Sequence, residues 1–357
     1  MRKTFYTSAI LLIIFLLIIQ GEKSLNYARE AIYLCTDMII PSLFPFFICS
    51  GILIYSGFCQ KLALISAPVM KPLFNVNANG SSAFILGIIS GYPLGAVTAC
   101  ELYKSGYLSK SETERLLAFC NNSGPLFILG SVGVGLYAGL NTGIILYISH
   151  IIGSILVGMC MRFHESNKHT APDMKISSEE RSFSEIYRIS AVNAANSMML
   201  ICGTILFFSV SSRLVLDLIP FEIPPFIYGI FEFSGGNVFI ANSGYPIPVK
   251  LIMSSVITGF AGLSVHMQVL AVCSGNGLSM APYISGKLMH GLFSGAITCG
   301  LLWLSGELPS AGNLMFSHGN SFFMAGIYSV LCLLIISVIT AIIRLSEKTK
   351  RNELNIS

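Results

Sequence analysis

The chain has 357 residues, of which 54% are hydrophobic and only 11% charged, and its mean hydropathy is +0.74. A soluble protein carries about 25% charged residues, so this composition excludes a water-soluble globular domain and points to a polytopic helical membrane protein. The net charge of +4 is no nucleic-acid signature, because the basic residues lie in loops and at the ends of apolar runs.

Met1-Arg2-Lys3 precedes an apolar run that ends at Ile19, followed by Gln20-Gly21-Glu22-Lys23. With no small-x-small cleavage site there, the run reads as a retained first helix rather than a signal peptide. Spans are predicted near 5–20, 39–58, 113–138, 142–161, 191–212, 251–274, 286–305 and 321–343, each close to the roughly 20 residues a bilayer demands. Segments 82–103 and 225–243 are apolar but broken at their middles, and 24–38 and 61–75 read as short interfacial pieces. Arg162 to Arg188 is the one long polar connection, a surface loop containing Pro172. The ten cysteines are scattered singly, mostly in apolar runs (Cys49, Cys100, Cys160, Cys202, Cys299, Cys332), with no CxxC pair. They read as buried free thiols rather than metal ligands or disulfides.

Glycine, proline and small polar residues interrupt the apolar stretches at Ser90-Gly91-Tyr92-Pro93-Leu94-Gly95, Asn121-Asn122-Ser123-Gly124-Pro125, Ser234-Gly235-Gly236-Asn237 and Gly262-Leu263-Ser264-Val265-His266. In hydrocarbon an unpaired backbone amide costs several kcal/mol, so such breaks persist only where protein or a water-filled cavity satisfies them. The two halves also look alike. Phe47–Leu53 resembles Leu200–Leu206, Ser90-Gly91 matches Ser234-Gly235, Phe119 and Ser123 match Phe260 and Ser264, and Ser149-His150 recurs at Met289-His290, in the same order. Breaks in matching positions of a repeated chain mark the binding site of a transporter.

The positive-inside rule sets the topology. If 82–103 and 225–243 are re-entrant hairpins and the N-terminus is inside, then of the 21 basic residues only Lys23, Arg29, Arg213 and Lys250 lie outside; Lys287 is counted with the cytoplasmic set. If both segments cross fully, the two sides come out nearly even. The hairpin arrangement leaves three crossings before the repeat begins again, which inverts the second half. The expected fold is all-α, a polytopic membrane protein of about eight transmembrane helices plus two re-entrant hairpins in an inverted repeat, both termini cytoplasmic. Its expected parts are 1–38 (N-terminal helix and interfacial segment), 39–161 (first repeat), 162–190 (cytoplasmic linker loop), 191–305 (second repeat) and 306–357 (C-terminal transmembrane helix and cytoplasmic tail).

A half-helix that begins inside a membrane aims free N–H groups and a positive dipole end at the cavity, which suits carboxylates and other polar groups. The candidate substrate-binding residues are Ser90, Gly91, Tyr92, Asn121, Asn122, Ser123, Gly124, Glu232, Ser234, Gly235, Gly236, Asn237, Ser264, His266 and Gln268. No basic residue lies deep in either hairpin, so anion recognition is expected to rest on dipoles and amides. The alternative is that the small residues only let helices pack closely. Glu232, inside Phe226–Phe233, is expensive in a membrane and so reads as functional, against the alternative that it caps the second half of its own hairpin. His266 reads more readily as a packing residue than as a proton relay, His150 and His290 are assigned to packing, and Glu101 to the membrane surface beside Lys104. There is no HExxH, GxSxG or P-loop and no paired carboxylate within an apolar span, so no enzyme activity, catalytic residue or metal site is expected.

Pro41-Ser42-Leu43-Phe44-Pro45-Phe46, Ser90–Ala96, Asn121–Phe127, Glu232–Gly236 and Gly259–Gln268 together resemble the YlbJ-type sporulation integral membrane proteins, part of the wider nucleoside-recognition or "Gate" domain group, over about residues 10–345. Ala261 stands where that pattern favours glycine, and Ser234 where threonine is also usual. The resemblance implies movement of dipicolinate, a small planar dicarboxylate, across the outer forespore membrane during sporulation. Two opposed half-helix N-termini would suit its carboxylates, with Tyr92 stacked on its ring. It also leaves open a nucleoside-type or other small-solute cotransporter, and a non-transporting sporulation scaffold. The expected partners are the lipid bilayer, a small anionic or polar solute, and a homo-oligomer or downstream transporter, with no nucleic acid. No cofactor is expected beyond a coupling ion, sodium or proton.

Overall fold

The computed structural model describes residues 2–56, 58–164 and 182–306, and among these every regular element is helical. The expected span at 321–343, the cytoplasmic tail and most of the expected linker lie outside the described residues.

Helix α1 (Arg2–Ile19) is followed by α2 (Gly21–Leu34), and the chain bends by 101° between them. Two helices so inclined cannot both follow the membrane normal, which fits the expected reading of α1 as a span and α2 as an interfacial piece. A π-helical turn (Cys35–Ile39) leads into α3 (Ile40–Tyr55) and then α4 (Phe58–Phe74). Helices α5 (Ser81–Ser90) and α6 (Leu94–Lys104) double back on each other, with Gly87 opposite Gly95. Helix α7 (Lys110–Cys120) then ends at the irregular stretch 121–124, a π-helix (Leu126–Leu136) continues, and α8 (Leu140–Met161) closes the first half.

The second half runs in a comparable order, without a helix in the place of α4. Helix α9 (Phe183–Leu216) is followed by the hairpin of α10 (Pro225–Phe231) and α11 (Phe233–Ala241), then by α12 (Ile247–Phe260) and α13 (Gly262–Cys273) on either side of a break, and finally by α14 (Ala281–Leu304). The corresponding helices of the two halves touch: α3 packs on α9, and α8 on α14. Among the described residues four segments are long and apolar enough to cross a membrane, namely Leu140–Met161, Phe183–Leu216, Ile247–Cys273 and Ala281–Leu304, and α1 with α2 adds a fifth if taken as one bent span. One apolar cluster running from Cys35 to Leu302 draws on both halves, and a smaller one of Ile240, Val249, Met253 and Ile257 lies within the second.

Polar contacts gather at two places. In the first, α7 starts with a capping box: Ser109 Oγ accepts from Glu112 N–H at 3.3 Å, while Glu112 accepts from Ser109 N–H at 2.9 Å. The charged first turns of α7 are buried, which requires partners. Arg115 donates to the carbonyls of His164 (2.8 Å) and Asn75 (2.7 Å), and Glu114 accepts from Ser279 N–H (2.6 Å). In the second, α2 is tied to the C-terminal end of α9. Asp217 accepts from Tyr27 Oη at 2.6 Å and from Lys23 Nζ at 3.0 Å, Arg213 pairs with Glu30, and its guanidinium lies 3.7 Å over the Tyr27 ring. Burial alone would raise the Asp217 carboxyl, but the hydrogen bonds from Tyr27 and Lys23 and the nearby positive charges hold it below the usual carboxylate range.

Candidate functional site

In each half the hairpin break sits against the broken span that follows it, and glycine makes this approach possible. Gly91 has φ +83°, and a Cβ there would lie 2.7 Å from the Gly124 nitrogen. Gly87 and Gly95 close on the carbonyl of Cys120 from either side, where added Cβ atoms would lie 1.6 and 2.1 Å from its oxygen. In the second half Gly262 has φ +64°, and its Cβ would meet Phe233 N at 3.0 Å and the Gly229 carbonyl at 3.2 Å. Ala261, at φ +74°, is the left-handed C-cap of α12. The glycine preference noted at this position therefore has a backbone cause: a Cβ in that region is strained.

The two crossings meet. The Tyr92 and Phe233 rings pack edge to face at 5.4 Å, Phe127 and Phe233 lie 5.0 Å apart, and Tyr92 Oη donates to the Thr258 carbonyl at 2.7 Å. Between them is a cavity of about 30 Å³, lined by Ser90, Gly91, Tyr92, Ser123, Gly124, Ser234 and Gln268 together with apolar residues of α3, α9 and α13. That is room for about one or two waters, far below the roughly 300 Å³ at the lower end of ligand pockets. As it stands the cavity is too small for a solute.

Seven of the expected site residues thus line one space. Asn121 and Asn122 are fully buried beside it, with Asn122 Nδ2 donating to the Phe119 carbonyl at 2.9 Å. Ser264 is buried in α13, and Gln268 Nε2 donates to Thr204 Oγ1 at 2.7 Å. Asn237 braces its own hairpin, donating to the Phe233 carbonyl at 2.8 Å and to Thr258 Oγ1 at 3.3 Å. Several buried polar atoms here lack a hydrogen-bond partner: Ser90 Oγ, Asn122 Oδ1, Ser264 Oγ and Gln268 Oε1.

Glu232 does what the alternative reading proposed. Its carboxylate caps α11, accepting from Ser234 N–H at 2.9 Å and from Gly235 N–H at 2.6 Å. It also lines, with Gly235 and Gly236, a second and larger cavity of about 770 Å³ that opens between α2, the end of α9 and the second hairpin, past Tyr27, Arg29 and Arg213. The half-helix end that sequence reading offered to a solute carboxylate is therefore held by one of the protein's own.

His266 Nδ1 lies 2.7 Å from the Gly262 carbonyl, and the ring packs against Phe260 and Tyr283. A carbonyl only accepts, so Nδ1 carries the proton and Nε2 is bare. His150 and His290, assigned from sequence to packing, do pack, with ring centroids 4.3 Å apart, but they also join the site. His150 Nε2 accepts from Ser123 N–H at 3.0 Å, and His290 Nε2 donates to the His150 carbonyl at 2.8 Å.

Lys287 corrects an expectation. Counted from sequence as a cytoplasmic flanking charge, it lies in α14 with no exposed surface. Its ammonium donates to the Asn121 carbonyl, sits 3.3 Å from His290 Nδ1 and lies 5.4 Å from the centre of the Tyr92 ring. So although no base lies deep in either hairpin, one reaches the first break from the neighbouring span. The sequence did hold a signal for it: Lys287 stands three residues before His290, the histidine that repeats His150. One helical turn places both on the same face. Among the described residues, no group of three or more His, Cys, Asp or Glu is arranged to hold a metal ion.

No protein-family model and no solved structure matches the chain. Among curated proteins it is 29% identical over 319 residues to the sporulation integral membrane protein YlbJ of Bacillus subtilis (strain 168), a match covering 79% of this chain and 78% of that one. The chain is therefore similar, along most of its length, to a YlbJ-type sporulation integral membrane protein.

Proposed function

We propose that this chain is a membrane transporter for a small polar or anionic solute, with dipicolinate at the outer forespore membrane as the substrate and place that the YlbJ-type resemblance favours. The proposed architecture is about eight spans with two re-entrant hairpins in an inverted repeat, both termini cytoplasmic. The shared order of elements in the halves supports it, as does the grouping of Arg29 and Arg213 around one cavity, with Lys23 held by Asp217 at the same contact of α2 with α9.

The observation that carries the reading is the set of unpartnered polar atoms at the crossing of the breaks. Buried polar groups in native proteins are hydrogen-bonded in about nine cases of ten. Ser90 Oγ, Asn122 Oδ1, Ser264 Oγ and Gln268 Oε1 are exceptions: Ser90 and Gln268 line the small cavity, and Asn122 and Ser264 are chain neighbours of Ser123 and Val265, which also line it. Close packing of helices has no use for them; a solute with hydrogen-bonding groups does. Because the cavity holds only about 30 Å³, a solute fits only when the hairpins move relative to the spans, and the larger cavity ending at Glu232 is the proposed approach from one side. With Glu232 capping α11, the solute's acidic groups are assigned to the first crossing, where Ser90, Asn122 and Ser123 stand and no carboxylate does.

Ser90→Ala, Asn122→Ala and Ser234→Ala are expected to lower solute transport several-fold while the protein remains in the membrane at wild-type abundance. Unchanged transport in all three would sink the site assignment.

A further inference from the structure

Lys287 is the one lysine that the fold takes wholly out of solvent, and no carboxylate pairs with it among the described residues. A buried cation persists only when its donors are satisfied. Here each of three electron-rich groups faces the ammonium. The Asn121 carbonyl accepts one N–H. His290 offers a second acceptor: its Nε2 must carry the ring proton to donate to the His150 carbonyl, which leaves Nδ1, 3.3 Å from Nζ, as a bare lone pair. The face of Tyr92 is the third, at a distance suited to a cation–π contact. Three acceptors for three N–H groups match the ammonium, whereas a neutral amine would set its own lone pair against one of them.

The place matters as much as the count. Asn121 is the C-cap of α7, so its carbonyl belongs to the negative end of a helix that stops inside the core. Carbonyls at such interrupted helix ends are where ion-coupled transporters hold a mobile cation. We propose that the Lys287 ammonium is a resident cation in that position, standing in for a sodium ion, so that solute movement by this protein is sodium-independent. The consequence for flux rests on the transport reading above; the occupancy of the position does not.

The test is thermal unfolding of the purified full-length protein in detergent, at one pH and constant ionic strength, with sodium chloride replacing choline chloride. Solute uptake into proteoliposomes is measured in the same two salts. A cation that bound only the folded state would raise the midpoint as its concentration rose. The expected wild-type result is one midpoint in both salts. Lys287→Ala is expected to unfold at lower temperature in choline and to recover in part, saturably, in sodium, which can then reach the vacated carbonyl. A saturable sodium shift of the wild-type midpoint, or a Lys287→Ala protein indifferent to every cation, overturns the proposal. If Lys287→Ala does not fold, Lys287→Ser, which also clears the charge and most of the side chain from the position, takes its place. Absence of uptake in both salts counts against the transport reading alone, because the thermal result still judges the lysine.

Discussion

The hydroxyl of Tyr92 donates to the carbonyl of Thr258 at 2.7 Å, joining the break of the first hairpin to the last turn of α12 across 166 residues of sequence. The bond is buried and ties the halves together at the crossing. Tyr92→Phe keeps the ring and its edge-to-face contact with Phe233 while leaving the Thr258 carbonyl one donor short. A lost buried bond of this kind costs about 1–3 kcal/mol. The expected outcome is a lowered unfolding midpoint in detergent with little change in membrane insertion.

Gly87 and Gly95 admit the Cys120 carbonyl between the arms of the first hairpin, and the obstacle to any side chain is backbone, which cannot turn aside. Gly87→Ala and Gly95→Ala are each expected to cost about 1–3 kcal/mol or more by overpacking. Gly130→Ala is the control, since a Cβ there meets nothing within 4 Å. Yield and midpoint of the three proteins, compared side by side, check this.

Cys100 in α6 and Cys273 at the end of α13 bring their sulfurs to 3.1 Å. Both are free thiols, as the sequence led us to expect, although Cys49 is exposed rather than buried. Mild oxidation with a copper–phenanthroline reagent is expected to join Cys100 to Cys273, seen by mass spectrometry as one linked peptide pair. Cys100→Ser and Cys273→Ser should each abolish it. A failure to link would mean that the first hairpin does not lie against the second broken span.

The contact between α2 and α9 carries a pH signature. Burial, and then the hydrogen bond to the Asp217 carboxylate, push the Tyr27 phenol up to about 12. A folded value above the unfolded value of about 10 means that its contribution to stability is complete below about pH 10 and is lost as pH rises through the folded value. Asp217 runs the other way: its lowered carboxyl contributes above the unfolded value of about 3.9 and loses that contribution as pH falls through the folded one. The wild-type midpoint should therefore show an alkaline decline that Tyr27→Phe lacks, checked by unfolding scans at a series of alkaline pH values.

The breaks were legible in the sequence because their cause is local. Gly91, Gly124 and Gly262 sit where backbone meets backbone, and only glycine leaves room there, so Ser-Gly-Tyr-Pro and Asn-Asn-Ser-Gly-Pro announced the crossings before any fold was known. The cap on α11 was open to two readings because Glu232 near free N–H groups suits either a ligand-facing acid or a cap. Geometry decided that it caps while still lining the larger cavity. Lys287 was misplaced because the positive-inside rule counts charges by sequence position, and a lysine near the start of a long helix looks the same whether it points out to headgroups or in to the Asn121 carbonyl. The Cys100–Cys273 contact had no sequence signal, since it arises from how α6 and α13 pack between halves.

The most direct measurement is uptake by liposomes containing the purified full-length protein, with dipicolinate compared against uridine, with and without a proton gradient. The account predicts saturable dipicolinate uptake that falls in Ser90→Ala and Asn122→Ala. No flux of either solute, from protein shown to be folded by a cooperative unfolding transition, would contradict it and leave the scaffold reading in its place.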